Sequence, residues 1–322
     1  MVRGFLKTVP VPTAGLALGV VAFGKLIGAF STMAEDVCAV VALALVLLVT
    51  AKAIMCPRAL ANDLQNPVQA AVFGTFFMTY MQLSTYVAGA SLLVGRVLWA
   101  AAVIGHFCLM AWFTARFVRG FAWKNVFATW FVCYVGIIVG SVTAPAVQMG
   151  TVGQGLFWFG FIAYAVLLFV VTARYAKLPV PAPAAPTFCI YAAPMSLSIA
   201  GYVAVFEPNL AFLVVLELLA QALFAMVLTQ LPKFLRGGFF PSFAAMTFPF
   251  VITATALSRT IGSLRDAGIA VPGALDVLFA AEALLAGAIT LFVLVRFLGL
   301  FARNLREATV ATDPATAQAT TR

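Results

Sequence analysis

Apolar runs of about twenty residues alternate with short polar breaks along almost the whole chain. A helix needs roughly 20 residues to cross about 30 Å of hydrocarbon. Ten runs reach that length, at about 13–31, 37–55, 68–88, 97–117, 126–144, 154–173, 187–205, 210–230, 242–261 and 276–298. The pattern predicts an all-α polytopic membrane protein, a single transmembrane domain over residues 1–306. Residues 307–322, rich in Ala and Thr, are expected to form a disordered tail. The segment 179–186 (PVPAPAAP) predicts a stiff, extended linker.

The prolines divide these runs into pairs. Pro12, Pro67, Pro186 and Pro241 each stand just ahead of an odd-numbered run, and the intervals 12 to 67 and 186 to 241 are both 55 residues. Proline in a first helical turn forfeits no hydrogen bond, so these positions mark helix starts. The predicted unit is a two-helix hairpin used five times, with the third copy lacking its proline. Aligned on the proline, the four copies read PTAGLALGV, PVQAAVFGT, PTFCIYAAP and PSFAAMTFP. Seven residues on stand Gly19, Gly74, Ala193 and Phe248, and Pro194 and Pro249 follow in the last two copies. Mid-helix prolines break a backbone hydrogen bond, and such backbone is tolerated at membrane depth only inside protein or along a cavity. Five odd helices weakened at one level suit a ring around a central path. Phe248 would project there into space left by small residues, as a hydrophobic constriction that excludes water and ions. Packing against a neighbour is the alternative role for its ring.

Composition agrees with lipid as the solvent. Of 322 residues 64% are hydrophobic and 9% are charged, against about 25% charged in a soluble domain. The net charge of +9 raises the question of nucleic acid. The basic residues, however, are strung out singly or in pairs between apolar runs, as topology signals are. Lys7, Lys52, Arg58, Arg116, Arg119, Lys124, Arg174, Lys177, Lys233, Arg236 and Arg296 fall on one side, with the N-terminus and the tail. This places both termini in the cytoplasm of a multi-pass protein of the plasma (inner) membrane. No nucleic acid partner is expected; the lipid bilayer is, with small inorganic or organic anions the expected cargo if the central path conducts.

Three charges fall inside runs. Lys25, Glu217 and Glu282 each cost several kcal/mol there unless paired, and the hairpin order suggests Lys25–Glu282 and Glu217–Arg259 as pairs. Unpaired, a carboxylate of this kind is a candidate for proton coupling. Arg259 lies eleven residues after Phe248, about 20° away on a helical wheel, and Thr255 shares that face. Arg259 near the external mouth would attract anions, or else snorkel to the interface. His106, the single histidine, sits on an even helix and is expected to be structural. Gly15 and Gly19 form a GxxxG packing face.

No catalytic residue, metal site or cofactor is predicted. Five dispersed cysteines and one histidine make no zinc pattern, and the nucleophile and phosphate-loop motifs of enzymes are absent from the sequence. Two functions stay open, an anion channel and a carrier, facilitated or proton-coupled.

The stretches VPTAGLALGVVAFG, NPVQAAVFGTFFMTYMQL and GGFFPSFAAMTFPFVITATAL resemble the tellurite-resistance/dicarboxylate transporter family, from about Pro10 to Arg296. Its members include bacterial tellurite-resistance homologues, fungal malate and sulfite transporters, and plant slow anion channels. For a carrier, the resemblance implies a C4-dicarboxylate, sulfite or a related oxyanion as cargo. The resemblance implies ten helices as five hairpins in a pseudo-fivefold ring, with odd helices lining the pore, and a homotrimer with one pore per protomer. It also implies that the family's pore-blocking phenylalanine, in A-x-S/T-F-P/G, is Phe248 within Ala245–Pro249. The third copy departs from the pattern at Trp130–Phe131, which leaves the pore register of the fifth helix open.

Overall fold

The computed structural model describes residues 1–310, and no strand occurs among them. In chain order its α-helices are α1 (Val2–Thr8), α2 (Thr13–Ile27), α3 (Thr32–Met55), α4 (Pro57–Asp63), α5 (Pro67–Val72), α6 (Gly74–Ala90) and α7 (Leu92–Phe113). They continue as α8 (Thr129–Tyr134), α9 (Ile138–Thr143), α10 (Gly150–Lys177), α11 (Ala193–Val205), α12 (Leu210–Arg236), α13 (Thr247–Asp266) and α14 (Gly273–Val310).

Among the described residues seven helical stretches are long and apolar enough to cross a membrane. An eighth is added if α1 and α2, bent by 79° to one another, count as one span. These stretches divide by burial. Ala182–Val205 and Pro241–Asp266 are 72% buried inside the protein, whereas Thr32–Met55, Leu92–Val118, Gly150–Lys177, Leu210–Arg236 and Gly273–Thr309 are only 28–33% buried. The exposed side chains of the second group include Val40, Leu93, Phe169, Leu218 and Leu284. So much apolar surface is untenable in water and natural against lipid.

The buried helices pack on one another: α2 on α6, α6 on α9, α9 on α11, α11 on α13, and α13 back on α2. The exposed helices are their antiparallel partners, as in α2 with α3 and α6 with α7. Side-chain caps start several helices where the chain turns back. Ser31 accepts from Ala34 N–H, Asn66 from Val68 and Gln69 N–H, and Asn209 from Phe212 N–H.

The buried stretches are broken, the first by the bend before α2 and four others within the span, while the exposed ones stay α-helical apart from a π-helical turn, Thr114–Val118, at the end of Leu92–Val118. The expected run 68–88 is α5 and α6 separated at Phe73, and 126–144 is α8 and α9 separated at 135–137. Ala182–Ala192 and Pro241–Met246 are 3₁₀ helix before α11 and α13 begin. The prolines explain the last two. Without an N–H, Pro194 and Pro249 cannot bond four residues back, and the chain closes tighter i→i+3 bonds, Ala193 N–H to Ile190 O and Thr247 N–H to Ala244 O.

Two expectations need correction. The extended linker at 179–186 is shorter, because from Ala182 the chain winds into 3₁₀ turns, which proline's fixed φ permits. Residues 307–310, expected to be disordered, belong to α14, which continues to Val310; the remainder of that expectation lies outside the described residues.

Lys52 ties the proline end together. It is 2% exposed, and its Nζ donates to Val9 O at 2.6 Å, Lys7 O at 3.2 Å and Asp63 Oδ2 at 2.5 Å. One ammonium thereby fixes the bend before α2 and the short α4 to α3. Lys52→Gln is expected to cost about 1.5–3 kcal/mol, the worth of hydrogen bonds to a charged group. The check is thermal unfolding of the detergent-purified variant against wild type.

Candidate functional site: a central apolar cavity

The interrupted helices surround a cavity of about 70 Å³. Its wall takes Pro12, Gly15 and Leu18 from the first; Val68, Gln69, Val72, Thr75 and Met78 from α5–α6; and Phe131, Val132, Val135 and Gly136 from α8 and the turn after it. Thr187, Ile190, Ala193, Pro194 and Leu197 come from the α11 segment, and Ser242, Ala244, Ala245, Phe248 and Pro249 from the α13 segment. No charged side chain stands in this wall. Toward the proline end the cavity shares Pro12, Val68, Gln69 and Ser242 with a vestibule of about 550 Å³, in which Lys124 is the charged residue.

The alignment on prolines accounts for much of the wall. Ala193 and Phe248, seven residues on, both line the cavity, as do Thr75, Pro194 and Pro249, eight residues on. Val135 and Gly136 take the corresponding places in the third copy, as if Ala128 stood for its missing proline. The first copy is displaced: Pro12, Gly15 and Leu18 line the cavity, while Gly19 faces sideways. A Cβ on Gly19 would overlap the Thr247 side chain and fall 3.0 Å from Phe248 N. Gly19 therefore lets α2 approach the backbone that carries Phe248. Gly74 likewise faces a neighbour, with His106 Cε1 3.2 Å and Val132 O 3.3 Å from a Cβ there.

Two aromatic rings line the cavity, and they are held differently. Phe131 packs edge-on against Tyr164 and Tyr191, at centroid distances of 5.9 and 5.5 Å. Phe248 is 6% exposed and stacks on no other ring among the described residues, although Phe250 beside it packs on Phe224 at 5.2 Å. Phe131 was not singled out as lining the cavity from sequence. Its signal there was the Trp130–Phe131 pair in the copy that breaks the pattern.

Thr255 and Arg259 are not in the cavity wall. Thr255 Oγ1 donates back to Val251 O at 2.9 Å, and Arg259 Nη1 reaches sideways to Ala200 O at 2.9 Å. The pairings expected for the membrane charges do not form. Lys25 bonds Glu35 at 2.7 Å across the α2–α3 turn and lies 3.7 Å over the Tyr86 ring, not against Glu282. Glu217 accepts from Gln221 Nε2 at 2.9 Å and Thr260 Oγ1 at 3.0 Å, not from Arg259. Both sequence-based pairings assumed that neighbouring helices face charge to charge, whereas capping at Ser31 and an i,i+4 amide supply closer partners. His106 Nε2 bonds Cys133 O at 2.8 Å, joining α7 to α8.

An uncharged cavity among proline-broken helices, inside a bundle whose outer helices are long and apolar enough to cross a membrane, fits a membrane channel or transporter. Residues 5–298 match the family model described as voltage-dependent anion channel (SLAC1), and the chain belongs to that family. No curated protein matches the chain.

Gly19 gives a direct test of the close approach. Gly19→Val is expected to destabilise the protein by about 1–3 kcal/mol through overpacking against Thr247. Gly262→Ala, which meets nothing within 4 Å, should leave the unfolding temperature nearly unchanged in the same assay.

Proposed function

We propose that this protein is a channel for small anions whose path is the central cavity and whose gate is Phe248. The observation that carries the proposal is the cavity wall: every interrupted helix contributes to it, no charge stands in it, and one ring that stacks on no other, Phe248, is part of it. A conducting pore needs weak binding so that ions leave as readily as they enter. A wall of Ala, Gly, Val, Pro and single hydroxyls gives no tight site for a dicarboxylate, which favours a channel over a carrier of malate or sulfite.

In this proposal the buried segments are the inner helices of five hairpins, ten helices in a pseudo-fivefold ring. Both termini face the cytoplasm of the plasma membrane, following the Lys and Arg bias, so Lys124 in the vestibule draws anions toward the cytoplasmic opening. Assembly as a homotrimer rests on the resemblance of the sequence alone. Ala193, Pro194 and Pro249 line the path, with Pro194 and Pro249 holding the bend at gate level. Gly19 and Gly74 serve the path indirectly, by letting its walls close up.

The test is flux of chloride, nitrate and malate into liposomes at a fixed potential. Phe248→Ala should pass the monovalent anions at least about tenfold faster than wild type, without saturation, as expected when a dewetted constriction is opened. Unchanged flux would remove Phe248 from the gate. Saturable malate uptake that follows a proton gradient in wild type would make the protein a carrier.

A further inference from the structure

Glu217 on α12 and Glu282 on α14 flank α13 near Thr260, at the end of the bundle opposite the prolines. They are 7% and 4% exposed. The charged groups on the elements around them are engaged elsewhere. Lys25 on α2 bonds Glu35, Arg259 on α13 donates to Ala200 O, and Arg265 on α13 bonds Asp276 on α14 at 2.6 Å. No cation compensates either carboxyl among the described residues.

The two carboxyls differ in what reaches them. Two donors converge on Glu217, the Gln221 amide and the Thr260 hydroxyl. Each oxygen of Glu217 thus has a polar partner, which lowers the cost of carrying a charge there. Glu282 lies beside Gln221, the residue that donates to Glu217. Yet both of its oxygens are buried without a hydrogen-bond partner. A second unsolvated negative charge at this depth costs several kcal/mol, and a bound proton removes that cost.

We propose that Glu282 is a proton-binding site, neutral while Glu217 is ionised, and that its occupancy sets the anion conductance. The proton exchanges with water at the end opposite the prolines. Its loss adds one negative charge roughly one helix spacing, about 8–10 Å, from the path. That charge lowers the local anion concentration, so flux falls by about tenfold as the site deprotonates, the effect of one charge at that distance with an effective dielectric near 20. Glu217 positions the site: its charge holds the proton on Glu282, and Thr260 links the pair to the helix that carries Phe248. The conductance part rests on the channel proposal, while the proton site stands without it.

Two measurements on the full-length protein separate these. In lipid nanodiscs, infrared spectra at neutral pH should show a buried protonated-carboxyl band that Glu282→Gln removes and Glu217→Gln keeps. A band unaltered by Glu282→Gln overturns the site. So does failure of Glu282→Gln to fold, since Gln is the neutral isostere of the protonated acid. In liposomes, wild-type chloride flux should fall about tenfold with rising pH, and Glu282→Gln should hold the low-pH flux throughout. A pH profile retained in Glu282→Gln overturns the conductance link. Loss of the gate would instead appear as a Phe248→Ala variant that conducts no faster, with the infrared band unaffected.

Discussion

Backbone that leaves the α-helix inside a bilayer must find shelter, because lipid cannot satisfy its free N–H and C=O groups. That constraint organises this protein. Prolines and glycines interrupt the chain at Phe73, 135–137, Ala192–Ala193 and Met246–Thr247. The uninterrupted helices stand outside, apolar side chains toward lipid and only about a third or less of the residues in their most apolar stretch buried (28–33%). The interruptions fall near one level, the level of Phe248 and Ala193. Irregular backbone, small side chains and the cavity are therefore one feature: a helix that cannot close its own hydrogen bonds leaves room at its centre and needs neighbours around it.

Charge is distributed to match. The cavity wall has none, its vestibule has Lys124, and the paired charges sit at the ends of the bundle, Lys52 with Asp63 at one and Lys25 with Glu35 at the other. Desolvation explains the pattern, since an ion pair near the interface keeps some water while a charge beside the cavity would either bind its anion too tightly or repel it. Glu217 and Glu282 depart from the pattern, buried and without a cation among the described residues, and so does Arg174, buried and hydrogen-bonded only to the Leu178 and Pro179 carbonyls.

The helical class and the long outer helices were legible because a twenty-residue apolar run has few other meanings. So was a small part of the cavity wall: Ala193, Phe248, Pro194 and Pro249 follow from counting residues after a proline, and the same count reaches Thr75. It fails in α2, which has no 3₁₀ segment after Pro12 to turn its register, so Gly15 and Leu18 line the cavity and Gly19 does not. It could not be applied to the third copy, whose proline is replaced by Ala128. Side-chain partners were the least legible. Arg259 is nearly in line with Phe248 on a wheel, yet a long guanidinium reaches laterally to Ala200 O. The four-residue turn capped by Ser31 brings Glu35 to Lys25 ahead of any partner on a distant helix.

The central claim is that anions cross the cavity enclosed by the interrupted helices. Ala193 holds in the α11 segment the place that Phe248 holds in the α13 segment, and both side chains line the same space. The direct measurement is chloride current in planar bilayers through Phe248→Ala with and without a second substitution, Ala193→Phe. If the cavity is the path, the new ring restores the block and the current gained by Phe248→Ala disappears. A correctly folded double variant that conducts as well as Phe248→Ala would put the anion path elsewhere.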